Sequence, residues 1–195
     1  MARIDDGTGQ GFVAAVASTN RLLVNAESVP AIAIASATRA DAYTITTDIG
    51  GGGTGLVTGL VAGTQSGLLY VQNTSGFPLS IGGFFASTTN AGVFRLYKDV
   101  TGGTLVSAGT VAVPQQLNVA SGKVFAGSAR RANASGQTVT GGTVVALGYV
   151  VAGFQELQLA GALLLGTNDA IALTFTPIGA NADAAATVVC AYLAG

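Results

Sequence analysis

Apolar and polar residues alternate with a period of two in short runs, and the runs are separated by Gly, Asn, Pro and Ser. Ala42 to Thr47 sets Tyr43 and Ile45 against Thr44 and Thr46, and Ala31 to Ala35 alternates Ile with Ala. Period-two spacing sends successive side chains to opposite faces, so these runs predict strands half buried in a sheet. Further strand-like runs lie at 21–24, 68–72, 79–86, 92–99, 104–113, 137–140, 143–151, 155–159, 170–176 and 187–193. Within 92–99, Val93, Arg95 and Tyr97 share one face while Phe94, Leu96 and Lys98 share the other. A charge on each face fits an edge strand, or one lying beneath an aromatic on each side. Helical spacing with caps is scarce. About ten strands at roughly ten-residue intervals predict an all-β fold, a jelly-roll-like two-sheet antiparallel β-sandwich.

Residues 1–40 read differently from 41–195. They hold six of the seventeen charged residues and few large side chains, which predicts an extended N-terminal arm with a short strand leading into the sandwich. One internal echo appears: Thr101 to Val111 and Thr140 to Val150 are identical at seven of eleven positions. A repeat fold needs three or more units, so the echo reads as two hairpins built alike, each a glycine-rich turn feeding a neutral strand.

Composition sharpens this picture. Only 9% of residues are charged, against about 25% in typical globular chains. No charge occurs from Ile49 to Phe94, and none from Ala132 to Gln155. Either Thr, Ser and Asn faces replace charges, or much of the surface is buried against copies of the chain or a partner; the neutral runs favour burial. A net charge of −1 excludes a nucleic-acid footprint, which needs clustered Lys and Arg. Arg130-Arg131, with Lys123 nearby, reads as a solvated loop. Residues 144–166 are interrupted by Gly148, Gly153, Gln155-Glu156 and Gln158, so no membrane span is expected. Met1 to Asp6 lacks the apolar core of a secretory leader. The single cysteine, Cys190, stands in an apolar run and reads as a small core residue.

The chain has no histidine, which removes the usual nucleophile–histidine arrangements and histidine metal sites. A carboxylate dyad would have to come from Asp5/Asp6, Asp41/Asp48, Asp99, Glu156, Asp169 or Asp183. No tryptophan is available for a sugar cleft, and Asp169 and Asp183 stand in turns where Asp caps its own backbone. No catalytic residue, cofactor or metal is therefore expected. The segment Asp5-Asp6-Gly7-Thr8-Gly9-Gln10-Gly11 invites a phosphate or calcium reading. Its glycine spacing matches no phosphate loop, and adjacent carboxylates on extended chain point apart. A cation shared at a subunit boundary stays open; a bendable tether is the stronger reading.

"ARIDDGTGQGFVAAVASTNRLLVNAES" at 2–28 resembles the N-terminus of small virion structural proteins of tailed bacteriophages. "GLLYVQNTSGFPLSIGGFFAST" at 67–88 is similar to their strand–turn–strand unit, as are "FRLYKDVTGGTLVSAG" at 94–109 and "GANADAAATVVCAYL" at 179–193 to later pieces. The resemblance implies a jelly-roll-like sandwich present in many copies on a virion, with no catalytic residues. It points to a capsid decoration (cement) protein, or to a tail- or baseplate-associated component. The expected partners are other copies of the chain, as a homotrimer or other homo-oligomer, and a major capsid protein or another virion protein. Within the arm, Arg3, Ile4, Asp5, Phe12 and Arg21 have the reach or apolar area to anchor on a neighbour. A carbohydrate-binding jelly roll that attaches a particle to a host surface is the other class.

Overall fold

The computed structural model describes residues 4–5, 13–16, 22–23, 41–48, 55–118 and 122–193, with backbone alone for the first three segments and for 160–162. Three short strands, β1 (Ile4–Asp5), β2 (Val13–Val16) and β3 (Leu22–Leu23), form one small antiparallel sheet in the order β1-β2-β3. The rest is two larger sheets. One holds β4 (Ala42–Thr46), β5 (Val57–Leu60), β7 (Leu79–Thr88), β10 (Gln115–Gln116), β13 (Gly153–Leu165) and β15 (Ala182–Tyr192). The other holds β6 (Ser66–Asn73), β8 (Gly92–Gly102), β9 (Thr110–Val111), β11 (Gly127–Arg131), β12 (Thr140–Val150) and β14 (Ala170–Pro177).

The eight principal strands run β4-β15-β7-β13 in the first sheet and β6-β14-β8-β12 in the second. Taken in chain order, they wind back and forth between the two sheets as two interlocked Greek keys, which is jelly-roll topology. The predicted all-β, two-sheet antiparallel sandwich is what the chain forms.

Alternation explains why. In β15, Ala182, Ala184, Ala186, Val188, Cys190 and Tyr192 are buried while Asp183, Ala185, Thr187 and Val189 are partly exposed. Opposite them, Leu69 and Val71 of β6, Ile171, Leu173 and Phe175 of β14, and Phe94 and Leu96 of β8 complete the core. The Phe94 and Phe175 rings lie 4.5 Å apart between centroids. Val93, Arg95 and Tyr97 face outward as the spacing predicts, yet β8 lies inside its sheet between β12 and β14, and is not an edge. Outward Arg95 is tolerated there because its Nη1 donates to Thr176 Oγ1 at 3.0 Å.

A buried amide ties the sandwich at one end. Asn73 Nδ2 donates to the carbonyls of Phe77 (2.8 Å) and Leu165 (3.0 Å), and its Oδ1 accepts the Ser75 N–H (3.0 Å). One side chain thereby joins the β6–β7 turn to the end of β13.

Four sequence expectations fail. Residues 137–140 are not a strand of their own: 137–139 lie outside the strands, and Thr140 opens β12. Residues 104–113 are not one strand: Thr104–Ala108 form a short helix, α1, and only Thr110–Val111 are β. Gly103 at φ 111° turns the chain off the sheet, and Leu105 then packs fully buried over Gly67, where any Cβ would lie 2.8 Å from its Cδ2. The two echoing segments are not separate hairpins either. They meet only at their starts, Thr140 opposite Gly102; from there the second runs as β12 beside Gly92–Val100 of β8 while the first leaves the sheet as α1. Arg130-Arg131 belongs to β11 and not to a loop; it pairs with Tyr70 and Leu69 of β6, and Arg130 Nη1 donates to the Gly109 carbonyl at 3.0 Å. The predicted strand at 31–35 lies outside the described residues.

Candidate functional site

The carboxylates singled out as a possible dyad are scattered in structural roles. Asp169 Oδ2 accepts the Gly166 N–H at 2.8 Å, the turn-capping role its neighbours suggest. Asp183 Oδ1 accepts the Gly59 N–H at 2.9 Å and so joins the start of β15 to β5. Glu156 Oε1 accepts from Gln158 Nε2 at 2.7 Å. Asp99 takes φ 61° and stands 3.9 Å from Lys98 Nζ on the surface. Asp41 is buried and bonded to Lys123 Nζ at 2.9 Å. No three His, Cys, Asp or Glu side chains gather as a metal site among the described residues.

The anchoring residues proposed for the arm fall at the limit of the structure. Arg3, Phe12 and Arg21 lie outside the described residues, and so does Asp6. Ile4 and Asp5 are described in backbone only, as β1, where they pair with Ala14 and Val13 of β2.

Two places on the sandwich have the geometry of a site, and they lie at opposite edges. The first is where β4 and β6 would otherwise end their sheets. There the chain adds β10 outside β4, and β11 and β9 outside β6, and it folds residues 122–126 across the opening. Phe125 packs edge-on against Tyr43 at 5.4 Å and tilted against Tyr192 at 5.8 Å. Beside this triad, Asp41, Tyr43, Ser75, Phe77, Lys123 and Tyr192 help to line a cleft of about 230 Å³. Burial raises the Tyr43 phenol above its ordinary value, with the Asp41 carboxylate adding to the effect. Burial likewise pushes Tyr192 up to about 12. The neighbouring Cys190 thiol, fully enclosed, is also pushed up to about 12 and stays protonated and inert, as its apolar run suggests. At neutral pH the phenols are donors, and Lys123 holds Asp41 Oδ1. The cleft therefore offers hydrogen bonds and aromatic walls, with no activated nucleophile among its described residues.

The second place is the edge made by β12 and β13, which Val151 and Ala152 join at a corner. Each is the last strand of its sheet, and nothing pairs outside either one among the described residues. β12 is 11 residues long and β13 is 13, and together they carry one charge, Glu156, and no proline. Soluble proteins ordinarily blunt such edges with charges, prolines or covering segments. Here the rim is apolar instead: Leu147, Tyr149, Val151 and Phe154 are 62, 61, 62 and 63% exposed. Leu147 and Tyr149 lie outward beside Arg95 and Val93 of β8, and Phe154 stacks on Phe85 at 5.8 Å on the opposite sheet.

Between the two edge strands the sandwich is open. Gly148 lies opposite Phe94 on the inward face of β12, and a Cβ placed there would meet nothing within 4 Å. Gly148, Tyr149, Val150, Gln155, Glu156 and Leu157 surround a notch of about 110 Å³ floored by Phe84, Ala86 and Phe94.

The sequence signal for this rim is the neutral run from Ala132 to Gln155. From Val144 to Val151 apolar residues occupy both parities, so the period-two alternation of a half-buried strand is lost. Such a run reads as buried; the fold places it at an edge. Residues 144–166, weighed as a membrane span, form parts of two strands and their corner, and no helix among the described residues is long and apolar enough to cross a membrane. Comparison of the chain with protein-family models, with curated proteins and with solved structures finds no match.

Proposed function

We propose that the chain is a structural component of a bacteriophage virion, a decoration protein that binds a capsid lattice in many copies. The observation that carries this reading is the rim of β12 and β13, an extended apolar and almost charge-free edge on a sandwich held at the other edge by a half-buried ion pair and an aromatic triad. A surface of that kind serves association rather than turnover. Two further points support the reading: viral capsid domains are among the proteins built on jelly rolls, and segments 2–28, 67–88, 94–109 and 179–193 resemble small phage virion proteins. Fold alone does not assign function; the rim gives the fold something to do. The arm, with Arg3, Ile4, Asp5, Phe12 and Arg21, supplies the contact to the lattice, and repetition of that contact supplies avidity.

The test is co-sedimentation of the purified chain with particles assembled from the major capsid protein encoded in the same genome. The full chain co-sediments at a fixed ratio to the capsid subunit. Removal of residues 2–20 abolishes co-sedimentation while the thermal midpoint is kept. A full chain that stays in the supernatant refutes the capsid assignment, and selective binding on a glycan array would replace it with host-surface attachment.

A further inference from the structure

The rim also specifies its occupant. We propose that the β12–β13 edge is the surface on which a second copy of this chain docks. The proposal rests on the same rim that carries the structural reading, but it does not require the capsid.

Three observations select a second copy. The first is area. Leu147, Tyr149, Val151 and Phe154, together with Val144 and Val145, are all exposed. They leave several hundred Å² of largely apolar surface bare around the corner, on the scale of patches that mark association sites and a sizeable share of the ~800 Å² each partner buries in a standard interface. The second is charge. Charge on the rim is sparse: residues 132–155 are uncharged, Arg95 borders it, and Glu156 contributes a single carboxylate at the notch. A neutral surface selects a neutral partner, and the copy is one.

The third is shape. A two-fold interface must be complementary to itself, so it needs protrusions and recesses on the same patch. Leu147 and Tyr149 protrude on either side of Gly148, and the missing side chain at Gly148 opens the notch floored by Phe84 and Phe94. A mostly apolar recess of about 110 Å³, with Gln155 and Glu156 among its lining, can accept an apolar group. A two-fold copy brings its own Leu147 or Tyr149 to that recess. Among the described residues nothing pairs with the outer backbone of β12 and β13, which can therefore pair across the same contact, as exposed sheet edges do.

Gly148 makes the proposal testable without disturbing the fold, because its Cβ direction is open space. Light scattering coupled to size-exclusion chromatography on the full chain, across a concentration series, gives the assembly state and its dissociation constant. The wild type is a dimer or a multiple of one. Gly148→Leu fills the notch, and Leu147→Glu places a carboxylate on the rim next to Arg95; each raises the dissociation constant about ten-fold or more. Val124→Lys, at the opposite edge, leaves it unchanged. Thermal midpoints of all three match the wild type in samples dilute enough to be dissociated, where association no longer adds to the stability. A wild type that is monomeric at every concentration overturns the proposal, as does an oligomer that neither rim substitution weakens. Particle co-sedimentation with these variants separates the two readings: dimer loss with capsid binding intact confirms the rim contact and leaves the arm as the lattice anchor.

Discussion

The two edges of the sandwich meet the same physical problem in opposite ways. At the β4/β6 edge the chain covers itself with β9, β10, β11 and the 122–126 segment, and a Tyr43–Phe125–Tyr192 cluster closes over the core. At the β12/β13 edge nothing is added among the described residues, and side chains of similar size stand exposed. Phe125 and Phe154 make the contrast concrete: one is 9% exposed and the other 63%. Burial in one case stabilises the fold. In the other, the same hydrophobic term is left for association.

Substitution at those two phenylalanines is the sharpest way to break the comparison. Phe125→Ala costs about 3–4 kcal/mol of folding stability, within the range for buried aromatics. Phe154→Ala costs under ~1 kcal/mol in a dilute, dissociated sample but weakens association. Urea denaturation reads both, and equal losses would erase the distinction between the edges.

Alkaline pH probes the buried thiol and phenol beside the covered edge. The unfolded Cys190 thiol ionises near its ordinary value of 9.0, whereas burial keeps the folded one protonated to about 12. Between those values the unfolded chain binds fewer protons, so stability falls as pH rises from about 9 to 12. By pH 11 the Cys190 contribution is about 2–3 kcal/mol, and Tyr192, raised to about 12 from 10.0, acts in the same direction. Denaturation midpoints measured from pH 8 to 11 show a shallower decline in Cys190→Ala than in the wild type. An unchanged slope would show that the thiol is not enclosed as described.

A smaller effect belongs to the ion pair. Lys123→Met leaves the buried Asp41 carboxylate without its cation. Because the Lys123 side chain is half exposed, the loss is about 1–2 kcal/mol, below that of a fully buried pair. The smallest effect is at the rim itself. Leu147→Glu changes monomer stability by no more than ~0.5 kcal/mol, as surface substitutions do. A larger loss would mean that Leu147 serves the fold rather than association.

Strands whose two faces differ were legible in the sequence. β4, β6, β7, β8, β14 and β15 all follow alternating or short apolar runs, and their order in the sheets follows jelly-roll winding. Residues 104–108 were not legible as helix because Leu105-Val106 is as good a start for a strand as Val144-Val145 in the echoing segment. What separates them is tertiary: Leu105 finds a seat over Gly67, while Val144 continues the ladder opposite Tyr97. β5 and β11 were missed for a related reason. Val57–Leu60 is short and interrupted by Gly59 at φ 68°, and Gly127–Arg131 ends in two arginines that propensity assigns to solvent. The rim was half legible. A neutral run announces burial, but only the fold shows that no described residue provides it.

The near absence of charge along β12 and the corner sets the thermodynamic character of whatever the rim binds. Apolar contact near room temperature is driven by entropy and carries a large negative heat-capacity change. An assembly held by this edge would therefore tighten on warming from the cold and loosen on ice. It would respond little to moderate changes in ionic strength, since few charges are available to be screened. Sulfate and other strongly hydrated salts would strengthen it. Calorimetry at several temperatures would then read the rim as a slope, where chromatography reads it as a size.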